Sequence, residues 1–378
     1  MLLGAILGRA LVSTAQTFSI IDTSGAGVDD DGKYFGAAAL GTYIYFTPAV
    51  QDNVGVLNTA NNNFTTIQTD AGCVDVTSGL PCIDGDHKYA GAAIVGSKVY
   101  FAPRNEDSVG VVDTTTNTFS TIDTSAAGVI ADWKYRDIVA LGTKVYMSPY
   151  KEENVGVVDT TTDTFSTIAD TSLAGVTGTN LYWGAAAVGT KIYFAPWQAS
   201  SVGVLDTANN TFSTIDISAA GLTGGTNQYT SAVAVGKDVF FAPYSENNVG
   251  VVDTATDTFS TINITAGVTS NTKYQSAAAV GTRVFFGPRT ENNVGVFDTT
   301  TYTFSTIDIS NFAIDDEKCK PLLAPVDPRT LRFLTCTLRS RQTREPCAVF
   351  TFKMKVQNCK KKFVFAFREL IVRVSVVA

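Results

Sequence analysis

The chain holds one histidine, His87, so no metal site can be built on two imidazoles. A lone histidine can still serve as a general base. His87, however, lies in a polar loop that also carries two cysteines, where solvent exposure explains it better. Neither a phosphate-cradling GxxxxGK[ST] loop nor a GxSxG nucleophile elbow occurs. Carboxylates recur at Asp113, Asp159, Asp206, Asp253 and Asp298, each closing a V-G-V motif. Each is followed by Thr, the pattern of an Asx turn rather than of a catalytic ring. No catalytic residue, metal or cofactor is therefore expected.

Recognition chemistry is better represented. Near-identical copies of one unit disagree at two positions. After a repeated Tyr stand Phe35, Ala90, Arg136, Trp183, Thr230 and Gln275; after a repeated Pro stand Ala49, Arg104, Tyr150, Trp197, Tyr244 and Arg289. Trp, Tyr and Arg combine large contact area with a polar handle and dominate binding energies where they are exposed. Aromatic rings also stack on sugars, and Arg can hold a carboxylate or sulfate in bidentate fashion. Arg136–Asp137 is the single charged pair in any of the small-residue segments, where other copies have Gly or Ser. The ligand-binding candidates are Arg104, Arg136, Asp137, Tyr150, Trp183, Trp197, Tyr244 and Arg289. Drift under weak constraint explains the variation equally well.

These residues are carried by a unit best read at 235–262, VGKDVFFAPYSENNVGVVDTATDTFSTI. Near-copies end at Ile67, Ile122, Ile168, Ile215 and Ile307. The VGKD turn places Gly first in a two-residue hairpin loop. DVFFAP is apolar on consecutive positions, as in a strand buried on both faces, and Pro243 ends it. VGVVD and TFSTI read as two further strands, joined by a turn whose late Asn or Asp (Asn63, Asn117, Asp163, Asn210, Asp257) suits the left-handed region. Tyr302 is the exception. The first strand, such as YWGAAAV from Tyr182, is rich in Gly and Ala and fits tightly beside its symmetry mates. Its tyrosine reads as a blade-packing residue with a wet hydroxyl.

The repeat tyrosines Tyr34, Tyr89, Tyr135, Tyr182, Tyr229 and Tyr274 lie 55, 46, 47, 47 and 45 residues apart, a propeller period. The predicted fold is all-β: a β-propeller of six recognisable four-stranded blades, or seven if a degenerate last blade is present. The segment VYFAP–x5–VGVVDTTTNTF resembles the YVTN-type β-propeller repeat and, more loosely, kelch and NHL blades, over about 17–316. The resemblance implies architecture, and it keeps a propeller hydrolase or lactonase open as an activity.

Charge divides the chain. Residues 1–317 hold 14 Lys/Arg against 32 Asp/Glu, whereas 318–378 hold 14 against 3. An acidic propeller excludes nucleic acid, whose phosphates need a basic groove. No apolar run reaches the ~20 residues of a membrane span. Residues 1–16 read as a short signal peptide or as a degenerate strand, and TFSIID at 17–22 as a fourth strand that closes the last blade. Cys73 and Cys82 would form a disulfide in an oxidising compartment. With the sequons at Asn63, Asn209 and Asn263, this leaves a secreted or extracellular location open. After Lys318 the pattern stops in mid-motif and a basic tail with four cysteines follows. Such a loss is what a frameshift or retained intron leaves, and it predicts a poorly packed tail. The alternative is a diverged seventh blade, with strands near 332–338, 348–356 and 362–367. The function expected is non-enzymatic binding of a protein, peptide or carbohydrate ligand on the face carrying the blade-to-blade loops.

Overall fold

In the computed structural model, the residues described are 21, 23, 26, 28, 32–69, 87–222 and 226–310, together with the backbone of three strands between 319 and 353. Every copy of the repeat is a four-stranded antiparallel sheet whose strands pair in chain order. The first blade runs Tyr34–Leu40, Tyr43–Pro48, Asn53–Asn58 and Asn63–Gln68. The inner strands of the other five are Tyr89–Val95, Tyr135–Leu141, Tyr182–Val188, Tyr229–Val235 and Tyr274–Val280. Each inner strand packs beside those of its neighbours, so six four-stranded blades stand in a ring. Helix among the described residues is confined to short 3-10 turns, such as Ser125–Ala127 and Thr171–Ala174.

Local chemistry accounts for each blade. Val235 pairs with Asp238, so Gly236 and Lys237 form the hairpin loop, and Gly236 has φ +63°. Only the first loop residue is left-handed, as a type II′ turn requires. The second strand is buried from its second residue onward, while the outer TFSTI strand is mostly exposed and half-buries Phe259 and Ile262. In the turn before that strand, Asn117, Asp163, Asn210 and Asp257 are left-handed. In the first blade the left-handed residue is Asn62 and not Asn63, which already begins the outer strand. The recurrent aspartates do start Asx turns: Asp113 Oδ1 accepts the Thr115 amide at 2.8 Å, and Asp298 Oδ1 that of Thr300 at 3.0 Å.

The repeat tyrosine differs from its reading as a wet residue. Its ring is buried in all six blades, and four of the hydroxyls donate to the Asn that opens the third strand. Tyr34 to Asn53 and Tyr274 to Asn293 are both 2.6 Å, and Tyr135 to Asn154 is 2.7 Å. Tyr229 makes the same bond to Asn248. In these four blades the blade supplies the partner of the buried hydroxyl, whereas the Tyr89 and Tyr182 hydroxyls, in blades whose third strands open with Ser108 and Ser201, have none among the described residues. The same ring explains the Gly in V-G-V. A Cβ on Gly203 would lie 2.6 Å from Phe212 Cζ and 2.8 Å from Tyr182 Cζ. Tyr, Gly and Phe therefore form one sandwich per blade. Gly203→Ala should cost about 1–3 kcal/mol through overpacking, read as a lower urea midpoint with an unchanged slope.

Apolar cores lie between neighbouring blades rather than at one centre. Phe240, Val249 and Val251 of the fifth blade, for instance, meet Val284, Phe286 and Phe297 of the sixth. Lysines missed in the sequence reading clamp the joints. Lys88 Nζ reaches back to Asp52 at 2.7 Å and the Val50 carbonyl at 2.8 Å. Lys134 Nζ reaches Asp107 and the Glu106 carbonyl, both at 2.9 Å. Both lysines are fully buried, and their charge is tolerated because carboxylate and carbonyl oxygens surround it.

After the sixth blade, Cys319–Asp327, Thr330–Arg339 and Arg344–Lys353 form a three-stranded antiparallel sheet. Cys319–Asp327 lies against the inner strands of both the first and the sixth blade, so this sheet stands between them. The expected strand at 332–338 falls within it, and that at 348–356 falls there as far as residue 353. The segments at 362–367 and 1–16 lie outside the described residues. Of 17–22, Ile21 is described; it is buried against Val28, Tyr34 and Ile44.

Candidate functional site

Two residue sets converge on one end of the ring. Each residue after the repeat Pro is tied by its backbone to the connection between blades. The Arg104 amide donates to the Lys88 carbonyl at 2.9 Å, and its own carbonyl accepts from the Lys134 amide at 3.0 Å. The Tyr150 amide then donates to the Lys134 carbonyl at 3.0 Å, its carbonyl accepts from Leu181 at 2.9 Å, and the relay continues through Trp197, Gln228, Tyr244 and Lys273 to Arg289. The backbone at these positions is held by bonds that any residue can make, which leaves the side chains free to vary.

Those side chains form one cluster over the channel mouth. Phe35, Ala49, Ala90, Tyr150, Trp183 and Trp197 pack together, with Trp133 and Tyr244 at its edge. Trp183 and Trp197 meet edge-on, with ring centroids 4.3 Å apart, and Trp197 meets Tyr244 at 4.8 Å. These rings were expected to be exposed, yet Trp183 is 8% and Trp197 6% accessible. The two indoles stand side by side in the fourth blade, and Tyr150 and Tyr244 from the blades on either side complete their cover.

Two arginines lie inside the aromatic cluster. Arg104 places its guanidinium 3.6 Å above the Trp133 ring, and Arg136 lies 3.8 Å from Trp183 and 4.9 Å from Phe35. Both are buried, Arg104 at 2% and Arg136 at 6% accessibility. Nε and Nη1 of each have no hydrogen-bond partner among the described residues. Burial pushes the Arg104 guanidinium down to about 8, with repulsion from Arg136 adding to it, and pushes Arg136 down to about 10. Guanidinium keeps its proton at neutral pH. The shifts therefore measure how poorly the two charges are solvated. Arg289 differs: its Nη1 donates to Gln275 Oε1 at 2.9 Å, and it faces Tyr244 at 5.5 Å.

Below the cluster, the channel contains a cavity of about 210 Å³, lined by Arg136, Asp137 and Trp183 and otherwise mainly by small residues of the inner strands. Asp137 Oδ1 accepts the Ile138 amide at 2.9 Å, and Oδ2 accepts that of Ala185 in the next blade at 3.2 Å. Room for the carboxylate comes from Gly91 (φ +74°), where a Cβ would lie 2.5 Å from Oδ1. Burial pushes the Asp137 carboxyl up to about 6, and the two amides offset this only in part. The side chain is deep in the molecule, yet it lines the channel cavity and is only half-buried. Ionisation then costs folding free energy that is absent below about pH 4 and complete above about pH 6. The shift sets a ceiling near 3 kcal/mol, and partial exposure to the cavity lowers this to about 1–2 kcal/mol. Asp137→Ser, the residue found at Ser231 and Ser276, should accordingly gain stability relative to wild type as pH rises from 4 to 6. Urea titrations across that range measure the slope; a flat difference would mean the carboxylate is solvated as in water.

Trp133 was missed in the sequence, where it reads as one more loop residue. It has φ +64°, at a position where Gly32, Asn180 and Asn227 are also left-handed. A bulky residue there is strained by about 1 kcal/mol or more. The strain holds an indole over Arg104 and beside Tyr150. His87 occupies the equivalent position one blade earlier, its ring 5.7 Å from Trp133. Cys73 and Cys82 lie outside the described residues. Among the described residues, no three His, Cys, Asp or Glu side chains group as metal ligands, and no helix is long and apolar enough to cross a membrane.

The fold places the chain among β-propellers, with a cationic aromatic cluster at one channel mouth. No protein-family model matches it, and neither does any curated protein sequence. Among solved structures it is similar to virginiamycin B lyase from Staphylococcus aureus, with TM-score 0.64 and 12% identity over 89% of this chain and 98% of that one. A streptogramin B lyase gives 0.62 and 15% over 89% and 96%. The WD40 repeats of RRP9 give 0.60 and 9% over 89% and 99%. Identities this low establish a shared fold and nothing finer.

Proposed function

We propose that the protein is a non-enzymatic binding propeller of YVTN-like type that recognises an anionic group of a peptide, glycan or protein on the face carrying the blade-to-blade loops. The observation that carries this reading is the pair Arg104 and Arg136. Two desolvated cations with unpartnered N–H groups are costly to a fold, and such a cost is characteristic of sites that wait for a ligand. A carboxylate or sulfate would accept from the free N–H groups. Around it, the half-buried rings of Trp133 and Tyr244 supply contact surface over a packed floor of Tyr150, Trp183 and Trp197, with Arg289 at the rim.

The test is binding of the full chain to arrays of carboxylated and sulfated glycans and acidic peptides, each with a neutral counterpart. Acidic members should be retained, and Arg104→Met or Arg136→Met should remove at least tenfold of the affinity. Trp133→Asn should weaken binding while folding stability stays equal or rises by up to about 1 kcal/mol, because Asn accepts the left-handed conformation. Equal retention of the neutral counterparts would overturn the reading.

The alternative is a propeller hydrolase or lactonase, and the lyases among the structural neighbours keep an enzymatic reading in view. Asp137 is the one acid lining the channel cavity, and a single carboxylate makes a poor metal site. Metal content measured together with lactonase turnover would decide for the enzyme if both were positive and both were lost in Asp137→Ser.

A further inference from the structure

We infer that the channel mouth binds a small zwitterion of the amino-acid class, its carboxylate on Arg136 and its ammonium on Asp137. This rests on the binding reading above and specifies the ligand. Arg136 and Asp137 are consecutive residues, yet both line the same cavity. The inner strand is irregular at this point: Tyr135 pairs with Pro149 and Ile138 with Met147, so the strands slip register between them. A bulge of this kind can aim neighbouring side chains at one space.

Each of the two charges lacks a counter-charge of its own. Arg136 is clasped by Trp183, Tyr150 and Phe35, and no carboxylate bonds to it among the described residues. Asp137 accepts only from two backbone amides, and no Lys or Arg pairs with it among the described residues. A carboxylate offers about four lone-pair sites, so two remain for a ligand ammonium. The two charges do not quench each other and stand ready for a molecule that carries both signs. Gly91 supports the same conclusion, because its missing Cβ is what lets the Asp137 carboxylate stand at the wall.

Size narrows the class. A cavity of about 210 Å³ is below the ~300 Å³ at which drug-sized pockets begin. It suits a molecule of amino-acid size, whereas an oligosaccharide has to stay on the rim. Apart from Arg136 and Asp137 the lining is uncharged, so a ligand with one charge would leave the other wall group uncompensated. Thr230 and Gln275 offer further polar contacts at the mouth.

Calorimetric titration of the full chain at pH 7.5 tests this with glycine, β-alanine and γ-aminobutyrate, alongside the single-charge probes propionate and propylamine. At least one zwitterion should bind ten or more times tighter than either single-charge probe. Asp137→Ser should reduce that zwitterion to the level of propionate, and Arg136→Met should abolish both. If propionate binds as tightly as the zwitterions and Asp137→Ser changes nothing, the zwitterion inference fails while the anion-binding reading stands. If no probe binds, the inference fails as well, and the array experiment judges the broader reading independently. A circular dichroism spectrum and urea midpoint for each variant separate lost binding from lost folding.

Discussion

Trp183→Ala is expected to cost about 3–5 kcal/mol of stability, and Trp197→Ala a similar amount. Both indoles are nearly inaccessible and meet edge-on, with ring centroids 4.3 Å apart, between Phe35, Tyr150 and Tyr244. Removing a ring from such a place loses its transfer free energy and leaves a cavity that the rigid blade edges close only partly. The double variant should cost less than the two singles together, since each truncation already strips contacts from the other ring. Urea denaturation of the three variants measures this. The sequence alone suggests the opposite, that both changes spare stability because the rings are surface contacts. A double variant as stable as wild type would restore that view. Because these substitutions disturb folding and recognition together, Trp133→Asn is the cleaner probe of the site.

Arg136→Met and Arg104→Met are expected to act in the other direction and to stabilise the ligand-free protein by about 1–2 kcal/mol each. Replacing buried charge by an apolar chain of similar length commonly gains about 1–4 kcal/mol. Part of that gain is offset here by loss of contact with Trp133 and Trp183, worth about 0.5–2 kcal/mol for a desolvated cation over a ring. The gain at Arg104 should shrink once Arg136 is gone, because the two guanidiniums repel. A matching sign comes from salt: sulfate should raise the urea midpoint of wild type more than that of either variant, by binding the folded state. If both substitutions destabilise and sulfate acts equally on all three proteins, the arginines are structural and the binding site is withdrawn.

The two sets of substitutions divide the mouth into parts with distinct physical roles. The indoles hold neighbouring blades together, and the guanidiniums draw on that stability for their own desolvation. The lysines before the repeat tyrosines show the contrast. Lys134 is as deeply buried as Arg136, yet Asp107 and two carbonyls satisfy it. Depth alone therefore does not distinguish the two; the missing partners of Arg136 do.

Much of this architecture is legible along the chain. The 45–55-residue spacing of tyrosines, the Gly-first hairpins and the doubly apolar second strands determine six four-stranded blades, because each is a local property of a few consecutive residues. The gathering of Tyr150, Trp183, Trp197 and Tyr244 at one end of the ring was legible too, since residues at corresponding repeat positions must share a face. Its character was not. Whether Trp183 is a surface ring or a buried one depends on Trp197, Tyr244 and Phe35, and two of these belong to other blades. The sandwich of Tyr182, Gly203 and Phe212 joins residues about 30 apart, so V-G-V looks like strand chemistry until the ring above it is seen. Trp133 reads as a loop residue until the left-handed backbone turns it over Arg104. Period and strand type come from short-range sterics and hydrogen bonding, and these the sequence determined. Burial, ion pairing and the solvation of Arg104, Arg136 and Asp137 depend on which blades meet, and only the closed ring decided them.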